Sequence, residues 1–262
     1  MSPLPAVSVI MPAHNTEQFI AQAIESVRSQ TFKNWELIVV DDCSTDSTRV
    51  IAESLAHEDG RIFVVHNEQN IGVAKTRNRG IDISSGEYIA LLDCDDFWNP
   101  EKLSVQLSHI QKYNADIAYC SYAIVDEEGN KKACDFIVSP VATFDSTLVQ
   151  STMSCSTVLI RRASMGEVRF TDEIYHEDLA LWLDLLRSGC TAVGCQEVLA
   201  SYRIVAGSRA SNKFKAAMHR WDLFRNYLHL PFTRCVSLFT QYGWLAVRKY
   251  RPLSGEAHHG PR

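Results

Sequence analysis

The apolar residues of the first hundred positions fall into short runs separated by stretches with helical spacing. Ala6-Val7-Ser8-Val9-Ile10-Met11, Trp35-Glu36-Leu37-Ile38-Val39-Val40, Arg61 to His66 and Tyr88-Ile89-Ala90-Leu91-Leu92 are too short for helices and read as buried strands. Between them, Phe19, Ile20, Ala23, Ile24 and Val27 recur at the spacing of one helix face, as do Val50, Ile51 and Leu55, then Ala74, Arg77 and Ile81. Thr16 is the predicted N-cap of the first helix, and Ser44-Thr45-Asp46-Ser47-Thr48 caps the second. Strand and helix thus alternate with short connections, the pattern of βαβ units and a parallel sheet.

Right-handed crossovers place the strand ends at 12–15, 41–46 and 93–96 on one rim of that sheet. Ligands of open α/β sheets bind outside the carboxyl ends of the strands. The last end is Asp93-Cys94-Asp95-Asp96, whose three carboxylates repel one another unless a cation or proton sits between them. Such an oxygen-rich cluster suits Mg²⁺ or Mn²⁺ shared with substrate phosphates. Alone, the cluster is equally a solvated acidic turn. A phosphatase with Asp93 as nucleophile needs Thr or Val where Phe97 stands.

Beyond Asn99-Pro100 the pattern predicts a helix through Leu103, Leu107 and Ile110, a strand at Asp116–Tyr122 and a turn at 126–130. Residues 133–155 look irregular, and Thr157–Ile160 forms a short strand. A strong amphipathic helix spans 175–188, and a strand covers Thr191–Leu199. Helices dominate from Ser208, with a break at Pro231. The expected division is a catalytic domain over 1–205, a helical segment over 206–253 and a frayed tail over 254–262.

Apolar content of 46% is that of an ordinary globular chain, but the net charge of -5 hides an asymmetry. From Arg203 to Arg251 there are ten Lys or Arg and one acid, Asp222, against an acidic body. The end of the chain therefore suits something anionic, and the segment over 213–251 reads equally as a helical subdomain packed on the body with a basic face or as an amphipathic segment resting on anionic lipid. Nucleic acid is not expected, because no binding motif accompanies the charge. The eight cysteines form no C-x-x-C pair. No apolar leader or run of about 18 apolar residues is present, so the expectation is a reduced cytoplasmic protein, at most peripheral on the inner face of the membrane. The sequence gives no oligomeric state.

No glycine-rich dinucleotide or P-loop motif follows any strand, which argues against an oxidoreductase or a P-loop enzyme. The rim can still hold a nucleotide. Asp42 can accept from a pyrimidine N–H, Asp93 can hold ribose hydroxyls and Asp95 a cation, while Lys75 and Arg77 neutralise diphosphate. Asp46 reads as a helix cap, and Arg77 reads equally well as a surface base. Glu177-Asp178 opens the later amphipathic helix. These acids suit either the helix dipole or a general base that deprotonates an acceptor hydroxyl. His176 is a poor metal ligand, having no second His one turn on.

In order, Val7 to Asn15, Gln30-Thr31-Phe32, Trp35 to Asp46, Asn70-Ile71-Gly72-Val73-Ala74, Arg77-Asn78-Arg79-Gly80 and Gly86 to Asp96 resemble the family 2 glycosyltransferases. Glu177-Asp178, Leu181-Trp182-Leu183 and Tyr202-Arg203 continue the likeness, which covers about residues 6–210. The resemblance implies a GT-A, Rossmann-like nucleotide-sugar-binding fold with a mostly parallel sheet, of the bacterial polysaccharide or lipopolysaccharide type. It also implies a nucleotide-sugar donor, most often UDP-linked, with Mn²⁺ or Mg²⁺ at the D-x-D motif and inversion at the anomeric carbon. Pro12, His14, Asn15, Glu17 and Asn70 then belong to the nucleotide site and Asp42 binds the base. Asp93 approaches the ribose or the metal, Asp95 ligates the metal with Asp96 as the alternative, and Asp178 is the base with Glu177 beside it. His14 departs from the family's usual Tyr and Cys43 from its usual Gly. Arg220-Trp221 follows Ala217 rather than the Gln of processive synthases, which favours single-sugar transfer to a hydroxyl of a glycan or lipid-linked glycan. The competing reading is an inactive transferase-like binding module. The sugar is not legible, although Thr152, Ser154, Ser156 and the Tyr202–Ser211 loop are placed to shape recognition.

Overall fold

A computed structural model describes residues 5–205 and 213–249, with the side chains of 213–217 and 242–249 outside the description. The tail expected over 254–262 and much of the Tyr202–Ser211 loop lie outside the described residues, as do the side chains of aromatics such as Trp244.

The predicted alternation forms as β1 (Val7–Ala13), α1 (Ile20–Arg28), β2 (Trp35–Asp41), α2 (Thr48–Glu58), β3 (Ile62–His66), α3 (Val73–Ile83) and β4 (Tyr88–Leu91). β5 (Phe97–Trp98), α4 (Lys102–Tyr113), β6 (Ile117–Val125), β7 (Val141–Ala142), α5 (Phe144–Val149), β8 (Val158–Arg161) and α6 (Arg162–Met165) follow. The remaining elements are α7 (Glu177–Arg187), β9 (Ala192–Arg203), α8 (Lys213–Asp222) and α9 (Phe232–Lys249).

The strands make one sheet in the order β3-β2-β1-β4-β8-β6-β9-β5, with β7 beside β9. The first four are parallel, as the βαβ pattern requires. The other half is mixed, because β8 enters antiparallel between β4 and β6 while β6 and β9 are parallel. Successive side chains of β1 serve opposite faces: Val9 and Met11 join the core under α1 and α4, and Ile10 joins the core under α3 and α7. On that second face α3 lies so close to β1 that a Cβ at Gly80 would stand 2.5 Å from Ile10 Cγ2. Glycine is the residue that permits this approach.

Several expectations change. Thr16 does not cap α1: its carbonyl closes a turn onto Phe19 and Ile20, the residue just ahead of the helix is Phe19, and no side chain caps that end. The helix starts later, at Ile20. The stretch taken as irregular contains β7 and α5, the latter opened by a capping box between Thr143 and Ser146. β6 and β9 run further than their apolar pattern suggests. They stay paired beyond two register shifts, so that Tyr122 faces Ala200 and Val125 faces Arg203.

A third core joins the described end of the chain to the body. Leu223, Phe224, Leu228, Leu230, Cys235 and Leu238 pack with Leu148, Ile174, Leu179, Ala180 and Leu183. Arg220 donates to the Leu148 carbonyl (3.0 Å), Tyr227 donates to Asp184 (2.6 Å), and Arg234 pairs with Asp145. Phe232 and Val236 remain outward, 61% and 40% exposed.

Candidate active site

The carboxyl ends of β1, β2 and β4, with the start of α3, enclose a cleft of about 480 Å³. Pro12, His14, Asp42, Asn70, Gly72, Thr76, Arg77, Asp93, Cys94 and Asp95 line it, so most of the predicted nucleotide and metal residues meet there. Asn15, Glu17, Lys75, Asp96, Glu177 and Asp178 stand behind or beside the lining.

Asp42 anchors the loop before α3. Its Oδ1 accepts from Ile71 N–H (2.9 Å) and Asn67 Nδ2 (2.7 Å), and its Oδ2 accepts from Gly72 N–H (2.9 Å). Burial by itself raises this carboxyl, but the hydrogen bonds from Ile71, Asn67, Gly72 and Thr76 outweigh it and hold Asp42 below the usual range. Gly72 takes φ +85° to aim its N–H at Asp42, a conformation that favours glycine. The His14 Nδ1 lies 2.8 Å from the Asp42 carbonyl, which only accepts, so Nδ1 carries the hydrogen. Nε2 then faces Asn70 Nδ2 at 3.3 Å. Cys43 adopts φ +60°, the left-handed conformation that explains why glycine is the easier residue at this position.

Asn15 and Glu17 latch the first loop to the second. Asn15 Oδ1 accepts from Thr45 N–H (2.8 Å), and the Glu17 carboxylate accepts from Ser47 N–H (2.9 Å). Asp46 returns the contact by accepting from Glu17 N–H (3.1 Å) and from Thr48 N–H (2.9 Å), the helix-start role expected of it. Lys75 points away and pairs with Asp172 at 2.6 Å.

Arg77 is a buried strut, not a surface base. Its guanidinium is 4% exposed and donates to Asp93 (2.6 Å) and to Glu177 (3.1 Å), joining the acid cluster to the start of α7. Burial opposes its charge, but Asp93, the Cys155 thiol and Glu177 around it raise its pKa well above the ordinary value.

Within the acid cluster the three carboxylates differ. Asp96 faces inward, 2% exposed, and accepts from Ser156 Oγ (2.5 Å) and Arg203 N–H (2.9 Å). Asp95 faces the cleft, and burial, followed by the neighbouring Asp93 charge, pushes its pKa up to about 6. Burial and then Glu177 likewise raise Asp178, whose carboxylate accepts only from the N–H of Leu179 (2.7 Å). No Lys or Arg among the described residues pairs with Asp95 or Asp178.

A family model described as glycosyl transferase family 2 matches residues 8–164. A glycosyltransferase of Bacillus subtilis (strain 168) named for teichuronic acid biosynthesis, TuaG, is 39% identical over 94% of this chain and 97% of its own length. The chain belongs to glycosyl transferase family 2. A second relative of this transferase is the Escherichia coli UDP-Glc:alpha-D-GlcNAc-diphosphoundecaprenol beta-1,3-glucosyltransferase WfgD, 34% identical over 93% of this chain and 94% of that one. Among solved structures, the mannosyltransferase PcManGT of Pyrobaculum calidifontis, in complex with GDP-Man and Mn²⁺, has the same fold. Its TM-score is 0.69 at 15% identity, covering 93% of this chain and 70% of that one.

The cleft of this transferase fits a divalent ion. Asp95 is a cleft-facing carboxylate with no ion-pair partner among the described residues, beside a second acid, Asp93, and both offer the oxygen donors that Mg²⁺ and Mn²⁺ prefer. No group of three or more His, Cys, Asp or Glu among the described residues is arranged to hold a metal alone. Diphosphate oxygens and water would have to complete the shell.

Two residues named in the sequence take a role at the acid turn that the sequence did not assign. Arg203 stacks between Phe19 (4.8 Å) and Phe97 (5.4 Å), donates from Nε to the Asp95 carbonyl (2.7 Å), and reaches the 126–127 turn and Gln22. Its sequence signal was the Tyr202-Arg203 pair of the family likeness. Ser156 was marked only as one of the polar residues placed to shape recognition.

Proposed function

We propose that this transferase moves one sugar from a UDP-linked donor to a hydroxyl of a glycan or lipid-linked acceptor, with inversion and with a divalent cation. One observation carries the reading. Arg77 ties the cleft-facing acids after β4 to Glu177-Asp178 at the start of α7, so donor-side and acceptor-side carboxylates share one rigid support. The UDP-Glc and the diphosphoundecaprenol acceptor in the name of WfgD favour a UDP donor and a lipid-linked acceptor here. The Mn²⁺ bound with GDP-Man in PcManGT favours a metal. In this assignment Pro12, His14 and Asn70 line the nucleoside pocket and Asp42 holds its walls. Asp95, with Asp93 beside it, would hold the cation, which supplies positive charge against the leaving diphosphate.

The chain's own residues do the rest. Asp178, which binds its proton more tightly than an ordinary Asp, takes the proton of the acceptor hydroxyl. The acceptor oxygen attacks the anomeric carbon opposite the diphosphate, the bond from that carbon to the diphosphate oxygen breaks, and the configuration inverts. Glu177 keeps Asp178 in place through Arg77. The C-terminal segment, rich in Lys and Arg and with Phe232 and Val236 outward, meets the anionic membrane surface that carries such an acceptor.

The test is a screen of UDP- and GDP-sugars with Mn²⁺, reading nucleotide release and, by NMR, the anomeric configuration of the product. Asp95→Ala is expected to lose metal-dependent release. Asp178→Ala is expected to bind UDP but to turn over about 10²–10⁴-fold more slowly. Full activity in Asp178→Ala removes its role as base, and binding without turnover in the parent protein leaves a sugar-nucleotide-binding module.

A further inference from the structure

The residues from Asp93 to Asp96 form a tight turn, closed by Asp96 N–H donating to the Asp93 carbonyl at 3.0 Å. A single hydroxyl spans the outside of this turn. Ser156 Oγ accepts from the N–H of Asp93 (3.1 Å) and donates to the carboxylate of Asp96 (2.5 Å), so it holds both ends at once. Ser156 belongs to a separate piece of chain, a short 3₁₀ turn at Cys155–Thr157 ahead of β8. It is 2% exposed and does not line the cleft.

That second turn is itself held from behind by polar groups in the core. Trp98 Nε1 donates to the Ser156 carbonyl (2.7 Å), and Gln106 Nε2 donates to the Thr157 carbonyl (2.7 Å). Lys102, fully buried one helical turn before Gln106, donates to Gln106 Oε1 (2.7 Å) and lies 4.0 Å above the Trp98 ring. A lysine, a glutamine and an indole N–H in a hydrophobic core are unfavourable unless each is satisfied. Here their bonds converge on the two carbonyls of the turn that presents Ser156.

We infer that Ser156 is a positioning residue for the transfer reaction: its hydroxyl sets the Asp93–Asp96 turn so that Asp95 meets the cation of a metal–diphosphate ligand, with Trp98, Gln106 and Lys102 as its buttress. This rests on the cleft being the donor site. Outer-shell partners of metal-binding carboxylates typically change metal affinity or activity by about 10–100-fold when removed.

Calorimetric titration of the full chain with UDP, with and without Mn²⁺, separates the roles. Ser156→Ala is expected to bind UDP alone like the parent, because the nucleoside pocket is untouched. Its affinity for UDP with Mn²⁺ falls at least about tenfold, and the Mn²⁺ concentration giving half-maximal turnover rises in step, with KM for the acceptor unchanged. Ser156→Thr, which keeps the oxygen, restores Mn²⁺-dependent binding. Trp98→Phe, which removes only the N–H behind the turn, weakens the same quantity by a smaller factor and carries the test if Ser156→Ala does not fold. Unchanged Mn²⁺ dependence in a folded Ser156→Ala or, failing that, in Trp98→Phe overturns the proposal. So does a Ser156→Thr protein as defective as Ser156→Ala. A parent protein that binds no UDP with or without Mn²⁺ refutes the donor assignment instead, and the two failures are thereby distinct.

Discussion

Lys102 offers a quantitative test of the buried polar support. Burial pushes its ammonium from 10.5 down to about 8, and no carboxylate pairs with it among the described residues. The folded protein therefore holds this proton less tightly than the unfolded chain does. At about 1.36 kcal/mol per pH unit, a fall from 10.5 to about 8 corresponds to roughly 3 kcal/mol lost from stability while both states are protonated. Between the folded and unfolded values the unfolded chain binds more protons, so the stability of the parent protein rises with pH through that window. Lys102→Met removes the titration. The variant gains the roughly 3 kcal/mol at neutral pH but orphans Gln106 Oε1, at about 1–3 kcal/mol, and loses the contact with Trp98, so its net change at pH 7 is small.

The pH dependence of the difference is the sharper quantity, because other titrating groups cancel in it. Most of the lysine penalty, roughly 2–3 kcal/mol, is relieved between pH 7 and pH 10, so the parent protein should gain that much relative to Lys102→Met over this range. Urea unfolding of both proteins, followed by circular dichroism at several pH values with a common slope, reads it directly. A difference in unfolding free energy that moves by less than about 0.5 kcal/mol between those pH values refutes the argument. Lys102 would then be charged and hydrated to the same degree folded and unfolded.

Three further outcomes follow from the geometry. Asp178 must be ionised to act as base and its pKa is raised by burial and by Glu177, so kcat/KM should fall with decreasing pH through a value above the ordinary 3.8; an acid limb at or below that value contradicts the role. Arg77→Met leaves Asp93 and Glu177 without their shared cation and should lower stability by about 3–5 kcal/mol, measured by denaturant titration, with turnover lost as well; a loss under about 1 kcal/mol shows that the strut is not a buried ion pair. The protein should float with vesicles containing phosphatidylglycerol and not with phosphatidylcholine alone, and Phe232→Ser together with Val236→Ser should weaken flotation without changing turnover on a soluble acceptor; equal absence from both vesicle types removes the membrane contact.

The parallel half of the fold was legible because each of its strands is a continuous apolar run bounded by polar turns, and each crossover helix carries a single apolar face. The rim of acids was legible because the chain direction of a βαβ sheet puts those turns on one side. What could not be read depends on distant partners. The helix after Thr16 starts only at Ile20, because the Thr16 carbonyl closes a turn first, so a good local cap does not cap. Arg77 is indistinguishable from a surface base until α7, a hundred residues later, brings Glu177 to it. Lys75, two residues earlier on the same helix and so on its other side, has the same local appearance and pairs outward with Asp172. The length of β9 is fixed by its pairing with β6 across two register shifts, and that pairing delivers Arg203 to the acid turn.

The acids of the rim are sorted by the donors that reach them. Asp42 is saturated by loop amides and Asn67, Asp96 by Ser156 and the Arg203 N–H, and Asp93 and Glu177 share Arg77. Asp95 and Asp178 remain, each raised by burial and by a neighbouring carboxylate and neither paired with a cation among the described residues. A folded protein tolerates an uncompensated buried carboxylate only where something else stabilises the arrangement, because neutralisation is the easier outcome. Here the fixed neighbours provide that support, and the two unpaired groups stand at the two ends of the Arg77 strut. One is suited to receive a divalent ion and the other to receive a proton.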